Sequence, residues 1–211
     1  MCGIVGIFDT RGRADVSRVL LDRMNERQHH RGPDEGGLHI EPGVGLGHRR
    51  LSIIDLSTGQ QPLFNEDGSV AVVFNGEIYN FQDLVPELQA LGHVFRTRSD
   101  TEVIVHGWEA WGEECVQRFR GMFAFAIWDN QERKLFAARD RFGVKPFYYS
   151  FFDNVFYFSS EIKALHAAGI PKEANEKVWA SYFAFGSYGN PDETFWSTIA
   201  QLSGGHFLEY E

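Results

Sequence analysis

Met122-Phe123-Ala124-Phe125-Ala126-Ile127-Trp128 is apolar at every position. Side chains of an extended segment alternate between two faces, so both faces of this strand must be covered. Antiparallel sheets usually wet one face and alternate apolar with polar residues. Lys134 to Ala138 follows across Asp129-Asn130-Gln131-Glu132-Arg133, which predicts a hairpin. A hairpin buried on both sides needs a layer above and a layer below. Two packed sheets, each covered outside by helices, supply them. The expected fold class is therefore α+β, an αββα sandwich.

Outward from this hairpin the pattern stays globular. Ile4 to Phe8 predicts a buried strand that begins almost at the terminus and fixes the place of Cys2. Val16 to Arg27 predicts a helix with Val16, Val19, Leu20 and Met24 on one face and Asp15 as its cap. Val44 to Ile54 is expected to be extended, with a polar turn over Asp55 to Gln61. Val70 to Phe74 predicts a strand ending at Asn75-Gly76. Asn80 is expected to cap a helix carrying Phe81, Leu84, Leu88 and Leu91, with Gly92 past its end and Pro86 as an internal defect. Ser99-Asp100-Thr101-Glu102 fits a capping box, which puts Asp100 in a helix first turn. Val155 to Ser159 predicts a strand, and Glu161 to Ala168 a short helix closed by Gly169. Beyond Pro171 the periodicity weakens. No internal repeat, low-complexity segment or linker divides the 211 residues.

Composition narrows the function classes. Hydrophobic residues make up 43 %, with 19 Phe, enough for an ample core. A net charge of −9 with no basic cluster argues against nucleic-acid binding. No stretch is long and apolar enough for a membrane span. The two cysteines, Cys2 and Cys115, are too few for a disulfide framework and fit a reduced, cytoplasmic setting. Cys115, in an amphipathic stretch, reads as a buried small hydrophobe. The eight histidines have no metal-ligand spacing, so no metal is expected.

Cys2 carries the chemistry. Loss of Met1 would place a thiol and a free α-amine on one residue. An amine with a pKa near 8 is partly unprotonated at neutral pH and can activate the thiol without a histidine. Acyl transfer also needs oxyanion donors, and the Asn75 amide with the Gly76 N–H could supply them. Asn-Gly is equally a turn signal. Arg49-Arg50 offers a fork for a carboxylate, or a solvated pair. Asp100 could hold an ammonium group, or only complement a helix dipole. One Arg and one Asp together would read an α-amino acid. Arg31-Gly32-Pro33-Asp34-Glu35-Gly36-Gly37 reads as a turn-rich loop, either a gate or only a connection. Arg139 to Pro146 reads as a charged loop between strands, and Ser159-Ser160-Glu161 as a cap for the short helix. Ser203-Gly204-Gly205-His206 begins like a pyrophosphate loop, but Phe207 and Leu208 stand where Asp and Ser are required, so no nucleotide site is expected.

In combination these motifs resemble the glutaminase domain of class II (N-terminal nucleophile) glutamine amidotransferases, closest to the asparagine synthetase branch. They are Met1-Cys2-Gly3-Ile4, Arg31 to Asp34, Gly47 to Asp55, Phe74 to Asn80, Ser99 to Glu102, Gly121 to Ala126, Ala138 to Pro146 and Ser160 to Leu165, spanning nearly all of 1–170. The resemblance implies the same αββα sandwich (the Ntn hydrolase fold) and hydrolysis of L-glutamine to glutamate and ammonia over a domain of residues 1–211. It implies Cys2 as nucleophile, its α-amine as base, and Asn75 and Gly76 as the oxyanion hole. Arg50 would bind the α-carboxylate, and Asp100 and Glu77 the amino end. Leu51, Ile53 and Ile54 would line the pocket through their backbones, and Arg31 with its loop would help close it.

The resemblance further implies a C-terminal ATP-dependent synthetase domain, in cis or in trans, that turns aspartate into asparagine and alone needs ATP and Mg2+. That domain is not in this sequence, which leaves open a fragment, a processed chain or a natural stand-alone glutaminase. No cofactor is expected in the domain itself, and a homodimer is left open. Ser203-Gly204-Gly205-His206 departs from the family, which has Pro before Gly-His. Other readings are an amidotransferase for another carboxylate acceptor, a hydrolase of another amide, and a non-catalytic interaction domain.

Overall fold

The computed structural model describes residues 1–9, 15–55 and 57–210. Its first sheet begins with strand β1 (Gly3–Asp9). Helix α1 (Arg18–Glu26) then leads to the hairpin β2 (Glu35–Glu41) and β3 (Val44–Arg50). The second sheet contains β4 (Leu63–Phe64) and β5 (Val70–Ile78). Helices α2 (Phe81–Ala90), α3 (Glu102–Trp111) and the short α4 (Cys115–Arg118) follow. The doubly apolar segment is β6 (Gly121–Asp129), paired with β7 (Lys134–Arg139). The chain then forms β8 (Tyr148–Phe152), β9 (Val155–Ser159), α5 (Ile162–Ala167), α6 (Glu176–Phe185), β10 (Ala200–Gln201) and β11 (Phe207–Tyr210). The strand orders are β10-β8-β9-β1-β3-β2 and β11-β7-β6-β5-β4, and every pairing is antiparallel.

Alternation along β1 and β6 builds the layers. Ile4 and Phe8 point inward, against Ala71, Val73, Ala124, Ala126 and Trp128 of the other sheet. Val5 and Ile7 point outward, under Leu21 and Met24 of α1 and Leu165 of α5. Phe123, Phe125 and Ile127 face out beneath Leu84, Leu88, Val103 and Trp108 of α2 and α3. The expected αββα sandwich is thus present, with Phe123, Phe125 and Ile127 of β6 under the helices and its two alanines and Trp128 between the sheets. Cys115 is fully buried in the outer core, and burial pushes its thiol up to about 12, so it is an inert hydrophobe.

Several local expectations change. Helix α1 starts at Arg18, because the Ser17 side chain, and not Asp15, accepts from the Leu20 N–H at 3.3 Å. Its buried positions are Leu21, Met24 and Asn25, and Val19 is exposed. Asn80 precedes α2 without capping it, since its amide is spent on Arg118 O and Arg120 N. Strand β3 stops at Arg50, short of Ile54. Leu56, in the expected polar turn, lies outside the described residues. The 31–37 segment is a connection only to Asp34, and from Glu35 it pairs with β3 as a strand. Ser159-Ser160-Glu161 caps nothing: Ser159 Oγ donates to Glu161 O, and Ser160 Oγ accepts from Ile4 N.

Candidate active site

The start of β1 is pinned from three sides. Arg31 Nε donates to Cys2 O at 2.8 Å, Gln28 Nε2 to Ile4 O at 3.0 Å, and Ile4 N to Ser160 Oγ at 3.0 Å. These bonds fix the residue before the strand at the end of the inter-sheet space. The Cys2 thiol lies 3.8 Å from Leu51 O at the end of the β3 run. Arg31, expected in a gate loop, sits behind Cys2 with its Nη1 on Glu161 Oε1 at 3.2 Å, and it does not line the cavity.

Cys2 opens onto a cavity of about 170 Å3. That is smaller than the several hundred Å3 of a typical drug-sized pocket, and suits a single small metabolite. Arg50, Leu51, Ile53, Ile54, Asn75, Gly76, Glu77 and Asp100 line it with Cys2. Nine of the ten sequence-derived site residues therefore converge here from segments far apart in the chain, and Arg31 is the exception. Gly59, Gln61, Met122 and Lys145 also line it and had been given no site role from the sequence.

The two arginines separate by strand alternation. Arg50 shares the inward face of β3 with Leu46 and His48, whereas Arg49 points toward α1 and pairs with Glu26. Arg50 is buried and bonds Glu35 Oε2 at 2.9 Å, Ile54 O at 3.1 Å and Asp55 O. These engage three of the five guanidinium N–H donors, which leaves Nε and one Nη1 hydrogen for a ligand. His48 Nε2 lies 3.0 Å from Phe74 O across the sheets. Burial lowers the His48 pKa to about 3, so it is a neutral structural tie that donates this bond.

Asn75 and Gly76 lie inside β5, opposite Ala124 and Phe123 of β6, so the Asn-Gly turn is excluded. Asn75 falls on the inward face with Ala71 and Val73, toward Cys2. It is 1 % exposed, and neither its Nδ2 nor its Oδ1 has a hydrogen-bond partner among the described residues. A buried amide without partners costs about 1–3 kcal/mol, and in a native site such an atom points to a ligand or a catalytic role. Beside it, Phe74 N donates to Gln61 Oε1 at 2.7 Å and Ile78 N to Asp100 Oδ2 at 2.9 Å. Backbone donors alternate along a strand, so Gly76 N–H leaves the same free edge, midway between them. A Cβ at Gly76 would stand 2.3 Å from Met122 O, so the close approach of β6 requires glycine.

Asp100 precedes α3 instead of opening its first turn. The Glu102 carboxylate, which a capping box would aim at Ser99, accepts from Arg96 N and Thr97 N at 2.7 and 2.8 Å. Ser99 Oγ accepts from Thr101 N, and the helix begins one residue later. This leaves Asp100 free to face the cavity. Burial, with the nearby Glu77 charge adding, raises its pKa to about 6 against the pull of the Ile78 N–H. Burial also raises the Cys2 thiol pKa. The N-terminal ammonium and Arg50 draw it down, and Asp100 pushes it up.

The 139–146 loop is a structural brace. Asp140 accepts from the backbone N–H groups of Phe123, Phe142, Val144 and Lys145. Arg139 donates at 2.6 Å to the carbonyls of Lys145, Leu202 and Gly143. The brace holds Lys145 in the cavity wall. Ser203 to His206 packs on it through Gly205 N to Asp140 O.

Residues 1–211 match the glutamine amidotransferase domain family. The chain is 43 % identical over 187 residues to glutamine-hydrolyzing asparagine synthetase 1 of Bacillus subtilis (strain 168), covering 88 % of this chain and 30 % of that protein. It is 46 % identical over 169 residues to glutamine-hydrolyzing asparagine synthetase 2 of Oryza sativa subsp. japonica, covering 78 % and 28 %. The chain thus spans less than a third of the length of these relatives. Among solved structures, glutamine phosphoribosylpyrophosphate amidotransferase from B. subtilis, complexed with ADP and GMP, superposes with a TM-score of 0.70 at 20 % identity. That match covers 99 % of this chain and 47 % of the other, a likeness of fold. No helix among the described residues is long and apolar enough to cross a membrane.

Proposed function

The chain belongs to the glutamine amidotransferase domain family, and on that footing we propose that it hydrolyses L-glutamine to glutamate and ammonia with Cys2 as nucleophile. The observation that carries this reading is the Asn75 amide, buried and unpartnered in the cavity that Cys2 opens onto. While Met1 is attached, the Cys2 nitrogen is a peptide nitrogen and cannot act as a base. Removal of Met1 leaves an amine with a pKa near 8, suited to take the thiol proton directly or through water. Burial raises the thiol pKa, so a base is needed.

Arg50 holds the substrate carboxylate, and Asp100 and Glu77 hold its ammonium. Leu51, Ile53 and Ile54 line the pocket. The side-chain carboxamide then lies at Cys2 Sγ. Attack forms a C–S bond, and the carbonyl electron pair moves onto oxygen toward Asn75 Nδ2 and the Gly76 N–H. Collapse expels ammonia, which carries off the transferred proton. Water then cleaves the thioester, which releases glutamate and restores the thiol. No step draws on a cofactor.

The 43 % and 46 % identities support a finer assignment. In it the ammonia serves ATP-dependent conversion of aspartate to asparagine by a synthetase domain, in cis or in trans, that uses ATP and Mg2+. Exposed Phe183, Phe185 and Tyr188 on and beyond α6 offer an apolar surface for such a neighbour or for a second copy. The unbridged Cys2 and Cys115 suit a reducing cytoplasm.

The test is glutamate release from L-glutamine, with mass spectrometry of the N-terminus and a Cys2→Ala control. Release that requires both Cys2 and loss of Met1 supports the assignment. Full activity with Met1 retained, or without Cys2, refutes it.

A further inference from the structure

Between α3, the β4–β5 turn and the segment after α2 lies a second cluster of polar side chains. We propose that Glu66, His93, His106 and Glu109 form a tetrahedral Zn2+ site. One ligand atom from each lies within 4.8 Å of all the others. His106 Nδ1 is 3.3 Å from Glu109 Oε2 and 3.4 Å from Glu66 Oε2, and His93 Nδ1 is 3.5 Å from Glu66 Oε1 and 3.6 Å from Glu109 Oε2. Zinc bonds of about 2.0–2.2 Å set tetrahedral ligand–ligand edges of roughly 3.3–3.6 Å, the range in which Glu109 Oε2 faces both imidazoles; Glu66 faces His106 with Oε2 and His93 with Oε1, and would turn one of the two to the ion. Two imidazoles with two carboxylates suit zinc, whereas Mg2+ and Ca2+ take oxygen ligands. The two carboxylates also balance the charge of the dication.

The surroundings are built as a metal site's are. The His106 side chain is 1 % exposed, and its other ring nitrogen, Nε2, lies 3.6 Å from Glu102 Oε1 with no hydrogen-bond partner among the described residues. Ligation through Nδ1 places the remaining proton on Nε2, facing that carboxylate, and Glu102 is itself held by Arg96 N and Thr97 N. Asn65 Nδ2 donates to Glu109 Oε1 at 2.7 Å, and Val94 N to Glu66 Oε1 at 2.8 Å. These bonds orient both ligating carboxylates. Linear spacing hides the site, because the ligands come from the β4–β5 turn, the segment after α2 and one face of α3. Only His106 and Glu109, three residues apart on the helix, are close in sequence. A bound ion therefore clamps three segments together and fixes α3 just downstream of Asp100.

The competing account is an ion-pair box held by a proton on histidine. Titration of chelator-stripped protein with ZnCl2 separates the two, in a Cys2→Ala background so that the active-site thiol contributes nothing. The proposal expects one equivalent bound. Co2+ should show the intense visible bands of tetrahedral coordination. Tm should rise by about 5–10 °C at a hundredfold excess over Kd. His93→Ala, which alters the partly exposed imidazole, should weaken binding at least a hundredfold while the chain stays folded. Exposed His206→Ala should leave binding intact. Absence of stoichiometric binding, or binding and a Tm gain that persist in both His93→Ala and Glu109→Gln, overturns it.

Discussion

Asn75→Ala should separate activity from stability, because the amide is costly to the fold and valuable to the reaction. In the resting protein Nδ2 and Oδ1 are buried without partners among the described residues. Keeping such a group in place costs about 1–3 kcal/mol, and truncation recovers that amount. Truncation also removes packing, but the new space opens onto the 170 Å3 cavity instead of sealing a void in the core. The two changes oppose, and the net effect on unfolding should stay within about 1 kcal/mol, a Tm shift of roughly 2–4 °C for a chain of this size. In the proposed reaction the same amide donates to a developing oxyanion in the transition state. Loss of one such donor costs about 2.7–4 kcal/mol, so kcat should fall roughly a hundredfold to a thousandfold. Asn75→Asp, of equal size, sets a carboxylate against the oxyanion and should fall further. Coupled-assay glutamate release gives kcat, and circular-dichroism melting gives Tm. A kcat within threefold of wild type would remove Asn75 from the oxyanion hole. A stability loss above about 3 kcal/mol would mean that the amide holds the fold together.

Asp100 sets a pH dependence. Its pKa is raised from 3.8 to about 6, chiefly by burial, and it must be ionised to hold an ammonium group, so kcat/KM for glutamine should fall about tenfold per pH unit below 6. A raised carboxyl pKa favours the protonated folded state. Its contribution to stability is full below pH 3.8 and is lost as pH rises through 6. Asp100→Asn should therefore unfold up to about 3 kcal/mol less readily than wild type at pH 7.5 and match it near pH 4, as denaturant titrations can check. Arg50→Lys keeps the charge but loses the planar fork, and should raise KM for glutamine about tenfold to a hundredfold in steady-state kinetics. Gly76→Ala brings a methyl to 2.3 Å from Met122 O and 2.7 Å from Phe123 Cα, both backbone atoms. Overpacking of this kind costs about 1–3 kcal/mol, so Tm should drop by roughly 2–12 °C with loss of activity.

What the sequence could reveal divides along physical lines. Periodicity is a local signal, and β6, β7 and β9 and the layer arrangement followed from it because each strand's two faces are written in consecutive residues. Residue types with few structural excuses, such as a cysteine behind the initiator methionine, likewise marked Cys2, and the structure places it at the cavity. Competition between side chains for backbone donors was not legible. Ser17 displaced Asp15 at α1, Asn80 was drawn off to Arg118 and Arg120, and Glu102 turned back to Arg96 and Thr97, which freed Asp100. Each outcome depends on a contact with a segment whose position the local pattern does not encode. The Asn75-Gly76 pair shows the difference most directly. As a dipeptide it is a turn signal, yet pairing with β6 extends the strand through it, and that extension aims the Asn75 side chain between the sheets and the Gly76 N–H off the free edge. Gln28, Ser160 and Arg31 pin Cys2 in place through contacts 24 to 156 residues apart, too distant for any motif to announce. The candidate residues were therefore readable one by one, while the positioning that brings them to one cavity is a property of the assembled sandwich.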